Sequence, residues 1–135
     1  AVGAGDFWRA AKRDLPGALR RSFPPDGLVL IVDAYDTVLL PCPRSIVAEF
    51  RAFGKDVVMP AERTCWPNSA LCRTCEERYP LDSPEIFPCR IFPYLNSGGY
   101  IGTATALAEA FEWMSAQGDS IGHDDQENAW NYYNA

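Results

Sequence analysis

The apolar residues of this chain fall into separated runs, and the spacing within each run predicts a type of secondary structure. Leu28–Val32 is a run of five apolar residues, three of them β-branched, which indicates a strand buried on both faces. Val57–Met59 indicates a second, shorter strand, which Pro60 ends. Thr37–Leu40 is a further short apolar run before the break at Pro41.

Three segments carry apolar residues at helical spacing, namely residues 6–21, 45–53 and 104–114. Asp6 and Ser45 are suitable capping residues for the first two helices, and Gly118 is placed to end the third. Pro16 weakens the first helix and marks a point at which it could split, because proline cannot donate a backbone hydrogen bond.

The order of strands and helices predicts an α/β fold. Between them, residues 60–94 read as a long loop that contains six prolines and four of the five cysteines. A loop of this length inside a compact domain is usually functional or held by disulfides. The cysteine content suggests an oxidising compartment, and the odd number leaves at least one cysteine unpaired within the chain.

Composition narrows the range of functions. A chain of 135 residues with 47% hydrophobic and 22% charged residues fits one globular domain with a real core. The net charge of −6 argues against a general nucleic-acid binder. No apolar stretch approaches the roughly 18 residues of a membrane span, so none is predicted.

The main candidate for chemistry is the acidic pair Asp33 and Asp36, directly after the first strand. Ligands in α/β proteins bind at the carboxyl ends of strands, and carboxylates there suit Mg²⁺ or Mn²⁺. Residues three apart in a continuous strand point to opposite faces, so a shared metal requires the strand to end near Asp33. The alternative is a capping or turn aspartate beside a surface aspartate.

Three further motifs carry candidate residues, each with a structural alternative. Trp66 offers a flat apolar face to a sugar ring, but its alternative is packing in the core or in a loop. The glycines of the 96–99 segment allow close approach to a ligand, or form a plain turn. Asp124 and Asp125 could act at a reacting centre, or cap a helix running to Tyr133. His123 is the only histidine, and exposure is its alternative to metal binding.

These motifs occur in a set order: the Asp-Ala-Tyr-Asp of 33–36, the Cys-Trp-Pro of 65–67, the Asn-Ser-Gly-Gly of 96–99 and the Asp-Asp-Gln of 124–126. In that order the chain resembles the glycosyltransferase domain of the procollagen lysyl hydroxylase family, and more broadly the procollagen galactosyltransferase-like enzymes. The resemblance runs from about Leu28 to Tyr133. It implies a glycosyltransferase A-type, Rossmann-like nucleotide-sugar transferase fold. Residues 1–135 are then expected to form a single partial domain, incomplete at both ends.

The resemblance also implies roles for particular residues. Asp33 and Asp36 match the motif that binds Mn²⁺ and the donor diphosphate. Trp66, Asp124 and Asp125 match residues of the catalytic site. The segment that passes beneath the transferred sugar is matched by Asn96, Ser97, Gly98 and Gly99. The family's late histidine metal ligand has no match, since His123 precedes the second acidic cluster.

The expected function is a metal-dependent transfer of glucose or galactose from a UDP-sugar to a hydroxylysine-linked or similar protein acceptor, such as a collagen-like chain. The expected location is the secretory pathway, in the endoplasmic reticulum lumen or the Golgi. Two alternatives stay open. One is a catalytically inactive, disulfide-stapled binding or scaffold domain of the same fold. The other is a small zinc module built on Cys65, Cys72, Cys75 and Cys89.

Overall fold

The computed structural model describes residues 4–33, 37–38, 43–66, 92, 94–117 and 125–135, and for residues 4–12 and 43–44 the backbone only. Four helices are present in these residues: α1 (Ala4–Ser22), α2 (Pro43–Phe53), α3 (Ala104–Ala116) and α4 (Asp125–Asn134). Five strands accompany them: β1 (Leu28–Val32), β2 (Val57–Val58), β3 (Ala61–Glu62), β4 (Tyr94–Leu95) and β5 (Gly99–Thr103).

The main sheet has the order β1-β5-β2, and β5 runs antiparallel to both neighbours. β1 and β2 therefore point the same way, but they are separated by the strand that comes last in sequence. β3 and β4 form a second, two-stranded antiparallel sheet. These two short strands lie at the two ends of the 60–94 segment that the sequence predicted as loop, so the chain is paired where that segment begins and ends.

The central strand β5 is the element that sequence reasoning missed, because its glycines were interpreted as part of a turn. The structure explains Gly102 by crowding: a Cβ there would lie 2.6 Å from the Asp56 carbonyl oxygen and 3.2 Å from Cγ of Leu107. Gly99 is similarly close to the Pro60 ring, at 3.1 Å. Glycine in this strand thus marks close backbone approach rather than a reversal of the chain.

The core lies on one face of the main sheet, where β1 and β5 pack against α1, α3 and α4. Val29 and Tyr100 face this side, together with Leu107, Phe111 and Trp130 of the helices. The prediction that β1 is buried on both faces is wrong for the described structure, since Leu30 keeps 40% of its surface exposed. The physical reason is the antiparallel pairing, which leaves one face of a sheet free of the core.

Helix α1 runs without interruption through Pro16, the point at which the sequence indicated that it could split. The cost of the missing backbone donor is offset by packing, since Leu19 is buried and Leu15 lies against the core. Arg20 adds a two-pronged ion pair to Glu112 of α3, with one arm at 2.8 Å. No helix in the described residues is both long enough and apolar enough to cross a bilayer.

Helix α3 starts where β5 ends, and its first turn is fully provided with acceptors. The Thr103 hydroxyl accepts from the Ala106 amide at 3.2 Å, as an N-cap residue does. The amide groups of Ala104 and Thr105 donate to carbonyl oxygens of the 24–27 turn region, at 2.9 and 3.1 Å. The junction of β5 and α3 is thereby fixed to the chain just before β1.

Candidate functional site

Four segments that are distant in sequence meet beside the end of β1. They enclose a polar cavity of about 250 Å³ lined by Asp33, Trp66, Asn96, Ser97, Gly98, Asp125 and Gln126. Each of the four motifs singled out in the sequence contributes at least one residue to this lining. The structure therefore brings together six of the nine predicted site residues around one cavity.

β1 ends at Val32, so Asp33 leaves the strand as the shared-metal prediction requires. Its amide donates to the Gly98 carbonyl oxygen at 3.0 Å, which holds Asp33 beside the 96–98 turn. Asp36 lies outside the described residues, as do Asp124 and His123. Asp33 is consequently the one member of the first acidic pair that the structure places at the cavity.

The turn between β4 and β5 is held together by the side chain of Asn96, one of its own residues. The Asn96 carboxamide oxygen accepts from the Gly98 amide at 2.7 Å, an Asx-type turn, and the Asn96 amide donates to the Pro60 carbonyl oxygen at 2.9 Å. A Cβ on Gly98 would lie 2.8 Å from Oδ1 of Asn96 and 3.0 Å from Oδ2 of Asp33. Only glycine lets the turn and the carboxylate approach this closely.

Ser97 joins the turn to the start of helix α4. Its hydroxyl donates to Oδ2 of Asp125 at 3.1 Å, and its amide donates to Oε1 of Gln126 at 3.2 Å. Both Ser97 and Gln126 are buried. The predicted capping position Asp125 is thus the first residue of α4, and its carboxylate is directed to the cavity side of the helix end.

Gln126 is the residue whose role sequence reasoning missed. Its Nε2 donates to Oε1 of Glu62 at 2.7 Å and to the Trp66 carbonyl oxygen at 3.0 Å, while its Oε1 accepts from Ser97. The partners fix the orientation of the amide, since two are acceptors and one is a donor. One buried side chain thereby connects α4, β3, the segment after β3 and the turn before β5.

Trp66 lies at the rim of the cavity, with 61% of its surface exposed. This exposure excludes packing in the core and leaves packing within a loop as the structural alternative. An exposed indole beside a polar cavity with a carboxylate nearby suits a sugar ring, which presents apolar C–H faces and polar hydroxyls.

A second, larger cavity of about 850 Å³ adjoins the first and shares Asp33, Asn96 and Gly98 with it. Its remaining lining is mostly apolar and comes from the sheet face opposite the core and from its surroundings, including Leu30, Met59, Phe92, Gly99 and Ile101. Gly99, the remaining predicted substrate residue, lines this larger cavity rather than the polar one.

The electrostatics of the site are most visible at Tyr100, which lies on β5 next to the turn. Burial raises the pKa of its phenol well above the ordinary value, and the negative charges of Asp125 and Asp33 raise it further. The neighbouring Ser97 hydroxyl lowers the pKa slightly. The phenol is therefore protonated throughout the physiological range, and it is a neutral hydroxyl within the electrostatic influence of two carboxylates.

The oxygen-rich lining matches the ligand preference of Mg²⁺ and Mn²⁺. Within the described residues, however, no group of three or more His, Cys, Asp or Glu side chains comes together as a metal site. Asp33 supplies one carboxylate to the polar cavity, and Asp125 supplies another.

Comparison with known proteins gives a consistent result. Residues 15–129 match the family described as the PLOD GT domain. The human multifunctional procollagen lysine hydroxylase and glycosyltransferase LH3 is 33% identical over 106 residues, covering 78% of this chain and 13% of that protein. Human procollagen-lysine,2-oxoglutarate 5-dioxygenase 1 is 30% identical over 132 residues, which cover 89% of this chain and 17% of that protein. The corresponding Drosophila melanogaster protein is 27% identical over 114 residues, covering 76% and 15%.

The chain spans between 13% and 17% of the length of these relatives. The family match nevertheless covers most of this chain, from the middle of α1 into α4. It includes the residues of the polar cavity. The chain belongs to the PLOD GT domain family of glycosyltransferase domains.

Proposed function

We propose that this chain is part of a metal-dependent glycosyltransferase that moves glucose or galactose from a UDP-sugar to a hydroxylysine-linked or similar protein acceptor. The observation that carries the proposal is the shared cavity, in which Asp33, Trp66 and Asp125 meet the 96–98 turn. A donor diphosphate, a sugar ring and an acceptor hydroxyl each have a suitable group in this lining.

In the proposed reaction, the bond between the sugar C1 and the β-phosphate oxygen breaks, the acceptor oxygen bonds to C1, and the proton of the acceptor hydroxyl passes to solvent or to the departing diphosphate. Mn²⁺, held by Asp33 and by Asp36, would neutralise the charge that develops on the departing diphosphate. Asp125, together with Asp124, would stabilise positive charge at C1 or orient the acceptor hydroxyl. Trp66 would support one face of the sugar ring.

The turn is proposed to form the floor beneath the transferred sugar. Asn96 fixes the backbone of the turn, and Gly98 removes the side chain that would otherwise fill the space next to Asp33. Ser97 points into the protein toward Asp125 rather than out to solvent. The roles of Ser97 and Asn96 are therefore to shape and hold the floor. Gly99 continues that floor toward the larger cavity.

The proposed compartment is the lumen of the secretory pathway, where a procollagen-type acceptor is made. Cys65, directly before Trp66, is disulfide-bonded, which supports an oxidising environment. The same bond argues against the zinc-module alternative, because a zinc ligand must be a free thiolate. Of the four cysteines considered for zinc, Cys65 is the one within the described residues, and it is already used.

The test is Mn²⁺-dependent hydrolysis of UDP-glucose and UDP-galactose by the full-length protein. Asp33→Asn and Asp36→Ala are each expected to lower turnover by about 100-fold or more, since metal stabilisation of a leaving group is worth several kcal/mol. Asp26→Asn, at an exposed aspartate in the turn before β1, is the matched control and should retain wild-type turnover.

Wild-type turnover by Asp33→Asn would overturn the assignment of this cavity. A wild-type protein that shows neither turnover nor a Mn²⁺-dependent thermal shift with UDP would favour the inactive scaffold instead.

A further inference from the structure

The Tyr100 hydroxyl is buried next to the proposed site and makes no hydrogen bond within the described part of the chain. The ring itself is well accommodated: Tyr100 is 5% exposed, and its ring lies against Phe111 with 4.9 Å between centroids. A phenylalanine would make the same ring contact. The hydroxyl is therefore the part of this residue that packing does not explain.

Buried polar groups in proteins nearly always have a hydrogen-bond partner, so an unpaired phenol indicates a partner in another state of the site. The groups that surround it are known. Asp125 and Asp33 both act on it through their charges, and the Ser97 hydroxyl adjoins it without the geometry of a hydrogen bond. Because it stays protonated, the phenol keeps its O–H and can donate a hydrogen bond at this position.

Ser97 is the neighbour that can accept. A serine hydroxyl has one donor and two acceptor lone pairs, and the Ser97 donor is already used on Oδ2 of Asp125 at 3.1 Å. The Ser97 amide is used on Gln126. What remains at Ser97 is acceptor capacity on Oγ, so a hydrogen bond between the two hydroxyls has to be donated by the phenol.

We propose that Tyr100 is a positioning residue, whose hydroxyl donates to Oγ of Ser97 when substrates fill the polar cavity and so completes a hydrogen-bond chain from Tyr100 through Ser97 to Asp125. The chain fixes the rotamer of the Asp125 carboxylate at the reacting centre. This inference rests on the proposed transferase function and deepens it. The Tyr100 hydroxyl is closed off from solvent, so it acts through Ser97 and not on the substrate directly.

The first measurement is steady-state hydrolysis of the UDP-sugar by the full-length protein with Mn²⁺. Tyr100→Phe is expected to lower kcat about tenfold with the donor KM within about twofold, the loss of one positioning hydrogen bond. Ser97→Ala removes the middle of the chain and should lower kcat at least as much. The double variant Tyr100→Phe/Ser97→Ala should match Ser97→Ala alone, because a broken chain cannot be broken twice.

The thermal midpoint without ligand separates positioning from structural support. Tyr100→Phe should melt at or above the wild-type temperature, since it deletes a buried hydroxyl that has no partner in the free protein. Tyr132→Phe, which deletes a partly buried phenol on α4 away from the cavity, is the matched control and should keep wild-type kcat.

The second readout does not depend on turnover. With ¹³C-labelled tyrosine, the Tyr100 Cζ resonance is expected to move when UDP-sugar and Mg²⁺ are added, and this change should be lost in Ser97→Ala. Three results would each overturn the proposed Tyr100–Ser97–Asp125 hydrogen-bond chain. They are wild-type kcat in Tyr100→Phe, multiplicative losses of kcat in the double variant, and a Tyr100 Cζ resonance that does not move. A wild-type protein without turnover would refute the proposed function alone. The Tyr100 resonance would then show whether the hydrogen-bond chain forms when the ligands bind.

Discussion

Exchanging the hydrogen-bonding roles of Glu62 and Gln126 tests whether one buried amide holds the site together. In Gln126→Glu, the nitrogen that donates to Glu62 at 2.7 Å and to the Trp66 carbonyl at 3.0 Å becomes an oxygen. The new oxygen at position 126 then faces two other acceptors, the Glu62 carboxylate and the Trp66 carbonyl oxygen, so that two carboxylates lie against each other. The bond from the Ser97 amide survives, because position 126 keeps an oxygen on that side.

The magnitude follows from the bonds that are lost. A hydrogen bond to a charged group is worth about 1.5–3 kcal/mol and a neutral one about 1 kcal/mol. Two unit charges 4 Å apart near a protein surface repel by about 4 kcal/mol, but Glu62 is only partly buried and can turn toward water. We therefore expect about 3 kcal/mol of destabilisation in all, which lowers the melting temperature of a domain this size by roughly 10 °C.

The double variant Glu62→Gln/Gln126→Glu restores a donor opposite an acceptor with the polarity reversed. It leaves only the Trp66 carbonyl without its partner from position 126, so about 2 of the 3 kcal/mol should return. Glu62→Gln alone should cost about 1 kcal/mol or less, since an amide can present its oxygen to Gln126. The full-length protein and its three variants would be compared by calorimetry, following the transition of the transferase domain.

The decisive quantity is the coupling between the two positions. A double variant that melts no higher than Gln126→Glu would refute the amide-clamp argument. A Gln126→Glu protein within about 2 °C of wild type would refute the energetic estimate as well. Recovery of UDP-sugar turnover in the double variant, parallel to recovery of stability, would show that the clamp acts on the cavity and not only on the fold.

Three further predictions follow from close contacts and charges. Gly98→Ala places a Cβ against Asn96 and Asp33 and should abolish Mn²⁺-dependent turnover in a protein that still folds by circular dichroism; activity near wild type would show that the turn does not constrain Asp33. In the central strand, the new Cβ of Gly102→Ala meets the Asp56 backbone, so overpacking should lower the free energy of unfolding by about 1–3 kcal/mol. In α1, the new Cβ of Gly17→Ala meets only the flexible Arg21 side chain, so the free energy of unfolding should rise by up to about 1 kcal/mol. Denaturant titrations measure both effects. Arg20 lowers the pKa of Glu112, so their ion pair stabilises the protein at pH values above the ordinary carboxylate pKa. This contribution is lost as the pH falls through the lowered pKa of Glu112. Arg20→Gln should remove that part of the acid dependence of stability, and an unchanged pH–stability curve would contradict the prediction.

The helices and β1 could be predicted because their apolar spacing is regular. The predicted caps Asp6 and Ser45 were wrong, since α1 begins at Ala4 and α2 at Pro43, so that both residues lie inside their helices. β5 could not, since Gly99 and Gly102 carry no strand propensity and are required by contacts with Pro60 and Asp56 that only the folded chain creates. The continuity of α1 at Pro16 is likewise a tertiary effect, in which packing outweighs a local preference.

The site was predictable to the extent that it is made of charged, aromatic or glycine residues. Asp33, Trp66, Gly98 and Asp125 were found from such signals, and the structure places them around one cavity. Gln126 carries no charge, and its importance lies in three distances that no sequence spacing encodes. Its position directly after the second acidic pair was the only available signal.

The placement of β5 between β1 and β2 has a consequence for the order of events during synthesis. β1 and β2 leave the ribosome before β5, but neither pairs with the other, and both depend on β5 for their pairing. Pairing between segments so distant in sequence is intrinsically slow, because a long loop must close before any contact is gained.

The main sheet, and with it the relative position of Asp33 and the 96–98 turn, therefore cannot form until β5 has been synthesised. Until then the apolar residues of β1 lack the strand that pairs with them, and such exposed surface makes a folding intermediate prone to aggregation. A longer segment between β3 and β4 would delay the synthesis of β5. It would lower the equilibrium stability only slightly, by about 0.6 kcal/mol of loop-closure free energy for each doubling of the loop length. The fold thus tolerates variation in that segment thermodynamically, while the price is a longer exposed stage in folding.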